Sequence, residues 1–238
     1  GTDTVIVHPE PGTTRDSVDT FIETERGRVC LVDTAGLRRK SRTKGELEKY
    51  ANIRSIRAID RSDVVIVVLD PSTGLVRQDI NICSYAIRNG KGVILAWNKW
   101  DLLTSREKPI YSDLVRQRLK NAPYLPVLFI SCLTGEGVGE LVELCFEIYA
   151  NLDARIPTGV LNRTLLAAIE SKPPRGIGRK FGKVYYAAQT GTRPPCFTLF
   201  VNDPSIFNDT YVRYVERIIR GIRPFDGVPV RIRIRKSK

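Results

Sequence analysis

Methionine is absent from all 238 residues, histidine occurs once, and no two cysteines form a C-x-x-C pair. Each absence removes a class of chemistry. With His8 alone, neither a His-based metal site nor a Ser/His/Asp triad can be assembled, and His8 reads as an incidental loop residue. The five cysteines, at positions 30, 83, 132, 145 and 196, are odd in number and irregular in spacing. That argues against a disulfide framework and a zinc site, and they read as small buried apolar residues. No apolar stretch approaches the length of a membrane span, so no membrane partner is expected. The phosphate-cradling G-x-x-x-x-G-K-[ST] is also missing. Together with the lack of an initiator Met, this leads us to expect residues ahead of Gly1, with a phosphate loop within about 30 of it.

What is present is a pair of turns, each closing an apolar run. Asn98-Lys99-Trp100-Asp101 follows Val93-Ile94-Leu95-Ala96-Trp97, and Ser131-Cys132-Leu133-Thr134-Gly135 follows Val127-Leu128-Phe129-Ile130. An ionised Asp101 can accept from the N1–H and the N2 amino group of guanine together, a paired contact that adenine cannot make. Asn98 is placed to donate to the base or to tie neighbouring loops together, and the Lys99 stem to cover the ring face. In the second turn the backbone N–H of Cys132, between Ser131 and Leu133, is a candidate donor to the guanine carbonyl. A lone N-K-x-D is a common polar turn; two guanine-type turns in this order are not.

The phosphate end is half represented. Pro11-Gly12-Thr13-Thr14-Arg15-Asp16 reads as a first switch, with the Thr14 hydroxyl on Mg²⁺ and its N–H on a γ-phosphate. Asp33-Thr34-Ala35-Gly36 closes the run Val29–Val32, with Asp33 holding Mg²⁺ through water and Gly36 allowing close approach of the backbone. The residue after Gly36 is Leu37, which cannot orient an attacking water as glutamine would, so slow intrinsic hydrolysis is expected.

Periodicity predicts alternating strands and helices: a hairpin of 17–25 and 28–33, helices at 46–59, 76–89, 107–120 and 138–152, and strands at 63–70, 92–98 and 127–131. This is an α/β pattern, a mostly parallel sheet with ligand loops at the strands' C-terminal ends. Residues 151–157 read as a linker. After it come a helix (158–171), two strands (183–189, 196–202), a helix (209–222) and a last strand (228–235). On the second helix Tyr211, Val215, Ile218, Ile219 and Ile222 form one stripe, while Arg213, Arg217 and Arg220 share another face. The last strand alternates Val230, Ile232 and Ile234 with Arg231, Arg233 and Arg235, predicting three guanidiniums in a row.

The order PGTTRD, DTAGLRRKSR, NKWD and SCLTGEGV resembles the second GTPase domain of the bacterial Der (EngA) ribosome-assembly GTPases. The stretches 184–195 (VYYAAQTGTRPP) and 200–204 (FVNDP) are similar to that family's KH-like C-terminal domain. The resemblance implies a P-loop GTPase-type domain over 1–150, a linker at 151–157 and a small α+β KH-like domain over 158–238, as roughly the second half of a longer protein. It also implies a cytoplasmic, monomeric GTP-hydrolysing switch. GTP or GDP and Mg²⁺ would be its cofactors, a monovalent cation such as K⁺ a further candidate, and rRNA and the large ribosomal subunit its partners. Cys132 stands where the family usually has alanine, a mild departure because the contact there is a backbone one. Two other readings are an Era-type GTPase acting on the small subunit and a non-hydrolysing RNA-binding fragment.

Charge supports a polyanionic partner. Residues 151–238 carry 17 Lys and Arg against 6 Asp and Glu, a net of +11, so only +1 of the total +12 is left for the first 150 residues. No G-x-x-G lies in that region, which removes the usual KH clamp on single-stranded RNA and favours binding by shape and phosphate. The basic run Arg38, Arg39, Lys40 and Arg42 lies in the second switch, where it can report nucleotide state or be only a charged loop.

Overall fold

The computed structural model describes residues 6–9, 19–32, 56–104, 107–174 and 181–237. They fall in two compact units, residues 1–65 and 66–238. The expected switch residues Thr14, Asp33 and Gly36, with Leu37 and the basic run after it, lie outside the described residues.

In the first unit β1 (Ile6–Pro9), β2 (Thr20–Thr24) and β3 (Gly27–Leu31) form an antiparallel sheet in that order. The pattern predicts only β2 and β3. The short apolar run of β1 ends at Pro9, a residue that weakens any strand assignment made from sequence. His8 therefore lies in a strand, opposite Phe21, and not in a loop. At the β2–β3 turn the Thr24 hydroxyl donates to the Gly27 carbonyl at 2.7 Å, and Arg61 is ion-paired with Asp19.

The second sheet has the order β4 (Val64–Leu69), β5 (Gly92–Trp97), β6 (Val127–Phe129), with β5 and β6 parallel. Every residue of β5 is buried, as a strand covered on both faces requires. The strands alternate with α1 (Arg77–Arg88), α2 (Lys108–Arg118) and α3 (Val138–Asp153). α3 starts at Gly137, whose φ is +73°; a Cβ there would stand 2.6 Å from the Phe129 carbonyl oxygen. Only glycine lets the chain turn from the second guanine-type loop into this helix so close to β6.

α3 continues through Asp153, so the first residues of the expected linker are helical. Then come α4 (Thr158–Ser171), β7 (Val184–Gly191), β8 (Cys196–Val201), α5 (Asp209–Ile222) and β9 (Arg231–Lys236). β7 and β8 are antiparallel, β8 and β9 parallel. Both helices cover one face of this sheet, with Leu161, Leu165, Phe197, Leu199, Val215 and Ile219 in a common core. The edge strand β7 is closed by side-chain amides. Asn162 accepts from the Ala187 N–H and donates to its carbonyl, both at 2.8 Å, and Gln189 does the same to Ile156 and Ala154. The carboxamides complete the backbone pairing that a further strand would otherwise supply.

The cysteines divide. Cys83 is fully buried, whereas Cys30 and Cys132 are exposed, and Cys145 and Cys196 are intermediate. Strand alternation places Cys30 outward and the turn exposes Cys132, so the expectation that most of the cysteines are buried fails at these two for local geometric reasons.

Candidate functional site

β5 and β6 end side by side, which brings the two guanine-type turns together. The Asn98 N–H donates to the Leu69 carbonyl of β4 at 2.9 Å, Trp100 N–H to Ile130, and Ile130 N–H to Trp97. The Asn98 side chain then crosses between the turns, its Oδ1 accepting the Cys132 N–H at 2.9 Å. Of the two roles expected for Asn98, tying loops together is the one observed. The Cys132 N–H is engaged in that bond, so a guanine carbonyl would have to share or displace it.

Asp101 is oriented by a residue 30 positions away. The buried Ser131 hydroxyl donates to Asp101 Oδ1 and accepts the Thr134 N–H at 3.2 Å. A carboxylate has about four acceptor positions, so Asp101 keeps the capacity to accept two more N–H groups after this bond. Trp100 anchors the turn from beneath: it is 5% exposed and packs on Phe129 with ring centroids 4.5 Å apart.

Lys99 has φ +62°, the left-handed region that non-glycine residues enter at a cost of roughly 1 kcal/mol or more. Its ammonium is ion-paired with Asp70, at the end of β4. That hydrogen bond, with two from Ser72, holds the Asp70 carboxyl well below the usual carboxylate range, at about 2. In the sequence Asp70 reads only as a strand end; its position after an apolar run, like that of Asp33, is the available signal. Leu133 is 85% exposed beside Cys132, offering an apolar surface next to the turn.

No group of three or more His, Cys, Asp or Glu that could hold a metal ion occurs among the described residues, and the expected Mg²⁺ residues Thr14 and Asp33 lie outside them. No described helix is long and apolar enough to cross a membrane.

The expected basic faces are rearranged. Arg220 lies seven residues from Arg213, on the same side of α5, but its guanidinium is engaged within the fold. It donates to Glu216 and to the carbonyls of Pro224, Phe225 and Val228, and stands 3.8 Å over the Tyr124 ring. Arg231 likewise leaves the row of three, donating to the Arg88 carbonyl at the end of α1. Unsatisfied carbonyls at a helix C-terminus and a loop attract these cations. Arg233 and Arg235 remain exposed.

Two guanine-type turns brought together at the carboxyl ends of parallel strands, followed by an α-β-β-α-β unit, define the class: a GTPase-type α/β domain joined to a KH-like domain. Comparison with known proteins makes this particular. The family described as "KH-domain-like of EngA bacterial GTPase enzymes, C-terminal" matches residues 155–235, and that described as "50S ribosome-binding GTPase" matches residues 1–99. The chain is 43% identical over its full length to GTPase Der of Clostridium perfringens, covering 55% of that protein. It is 39% identical to GTPase Der of Caldanaerobacter subterraneus, covering 99% of this chain and 54% of the relative. The chain belongs to the Der (EngA) family and spans about half the length of the curated relatives it matches. Among solved structures, Aquifex aeolicus Era bound to GDP·AlF4⁻ superposes with a TM-score of 0.45 at 18% identity, over 98% of this chain and 84% of that one, too loose a likeness to carry an argument.

Proposed function

We propose that the chain is the guanine-reading and RNA-docking portion of a Der-type switch that binds and hydrolyses GTP and acts on the large ribosomal subunit during its assembly. The observation that carries this is the Asp101 carboxylate, fixed by the buried Ser131 hydroxyl beside the Asn98–Cys132 link. A carboxylate held there selects a ligand edge with two donors, which is guanine's. Lys99 and Leu133 would flank the base. Thr14 and Asp33 would hold Mg²⁺, whose positive charge neutralises the phosphates, and Gly36 would let the backbone reach the γ-phosphate. Because Leu37 lacks a group to orient water, a monovalent cation such as K⁺ or the ribosomal partner would supply the missing stabilisation. The net +11 of residues 151–238 supports rRNA as the surface recognised.

The test is base choice. Asp101→Asn replaces an acceptor with an amide that matches the carbonyl of xanthine. It is measured with a Der relative's phosphate-loop segment fused ahead of Gly1. GDP affinity should fall by roughly 10⁴-fold, as in pockets that read by hydrogen bonds, and xanthosine diphosphate should bind the variant better than the parent. Equal GDP affinity in the two proteins would remove the Asn98–Asp101 turn from base recognition.

A further inference from the structure

The helix-free face of the β7–β9 sheet has no part in the core, which lies on the opposite face with α4 and α5. Strand register brings Thr198 opposite Arg233 and Phe200 opposite Arg235, with Tyr186 opposite Phe200 on the other side. A cleft of about 380 Å³ opens there, lined by Thr190, Cys196, Thr198, Phe200, Arg233 and Arg235. The Thr190 and Thr198 hydroxyls are hydrogen-bonded to each other at 3.0 Å across its floor. Neither arginine forms an ion pair with a described carboxylate, and their positions two apart on one strand set their Cα atoms about 7 Å apart.

The aromatic residues beside this cleft are placed outward by a local irregularity. The ladder shifts register between Val184 and Tyr186, where one extra residue enters β7, so Tyr185 and Tyr186 both point away from the core. They are 47% and 46% exposed. Tyr186 stacks on Phe200 with centroids 4.2 Å apart and planes 12° from parallel, and the Lys183 ammonium lies 5.5 Å from the Tyr185 ring centre. Exposed rings next to unpaired guanidiniums on an open sheet face are the components of a stacking platform for unpaired bases.

From this we infer that the helix-free face of the β7–β9 sheet binds a single-stranded RNA segment, with backbone phosphates on Arg233 and Arg235 and a base against the Phe200–Tyr186 pair. The inference rests on the RNA reading above but differs from binding by duplex shape and from a clamp at a G-x-x-G loop. An acidic protein surface would use the two arginines and leave the rings idle, whereas RNA engages phosphate, hydroxyl and ring contacts together. Arg231 takes no part, since its guanidinium is tied to Arg88.

The test is titration of the chain with a fluorescent single-stranded ribo-oligonucleotide of about a dozen nucleotides, and separately with rRNA, at several salt concentrations. Arg233→Gln with Arg235→Gln should weaken oligonucleotide binding at least tenfold and flatten the salt slope by about 1.4, since each phosphate contact on a single strand contributes about 0.7. Tyr186→Ala should weaken it roughly 5- to 100-fold with the salt slope unchanged, because stacking releases no counterions. Tyr186→Phe keeps the ring and should bind as the parent does, and parent-like urea unfolding of Tyr186→Ala excludes a folding defect as the cause. Arg213→Gln with Arg217→Gln, on α5, should change binding less than the sheet pair. If the parent binds rRNA but the sheet variants match it, or only the α5 pair weakens binding, the sheet face is the seat of another protein segment and this inference fails alone. If the parent binds neither RNA, the functional reading falls and this inference with it.

Discussion

The carbonyl of Gly227, between α5 and β9, accepts the N–H of Val93 at 2.8 Å, near the start of the strand whose other end carries Asn98 and Asp101. The Gly227 N–H in turn donates to the Tyr124 carbonyl ahead of β6. One residue of the KH-like part thus holds the near ends of both strands that present the guanine-type turns. Around it Arg193 pairs with Asp153 on α3, and Asn151 donates to the Asp226 carbonyl. The joint combines backbone hydrogen bonds with exposed polar side-chain contacts.

Gly227 has φ +71°, and a Cβ there would lie 2.4 Å from Ile148 Cδ1, a side chain with no exposed surface. Gly227→Ala should destabilise the chain by about 2–3 kcal/mol, from backbone strain plus overpacking. Adding Ile148→Val should recover part of this in urea unfolding. Full stability of Gly227→Ala would mean that the joint is not formed in solution.

Ser131→Ala removes the hydroxyl that orients Asp101 and the acceptor of the Thr134 N–H. Hydrogen bonds to charged groups contribute about 1.5–3 kcal/mol, so GDP affinity should fall by roughly 10- to 100-fold. Preference for guanine over xanthine should persist, because the carboxylate remains. Calorimetric titration with both diphosphates separates the two effects; an inverted preference would contradict the positioning role.

Asp70 carries a folded-state pKa of about 2 against the ordinary 3.8. A depressed carboxylate pKa stabilises the folded state above the unfolded value, and that contribution is lost as pH falls from about 4 towards 2. The melting temperature of Asp70→Asn should therefore decline less steeply than the parent's over that interval, with parallel curves above pH 5. Identical acid limbs would show that the Lys99–Asp70 pair does not persist in solution.

Asn162→Ala leaves the N–H and carbonyl of Ala187 without their partner on the β7 edge. A loss of about 1–3 kcal/mol is expected, the cost of stranding partly buried polar groups. Hydrogen exchange at Ala187 should accelerate more than at the central strand β8. Unchanged protection there would mean that water replaces the carboxamide without penalty.

Several features were legible in the residues themselves. The alternation of strands and helices from β4 to β9 follows from apolar periodicity, and the two guanine-type turns from their residue types. The split of charge between the halves is plain from composition. Ile232 and Ile234 do face the core while the arginines that alternate with them face away, because side-chain alternation is a property of the strand alone.

What only the tertiary structure decided involves residues far apart in the chain. The Lys99–Asp70 pair spans 29 positions, Ser131–Asp101 spans 30, and the bond that removes Arg231 from the basic row spans 143. Periodicity and turn chemistry are local and can be read within one element. Which carboxylate orients a lysine, which hydroxyl holds an aspartate, and which arginines stay open to a ligand depend on how elements pack, since an arginine near an unsatisfied carbonyl is drawn into the fold and its neighbour two residues on is left for a partner.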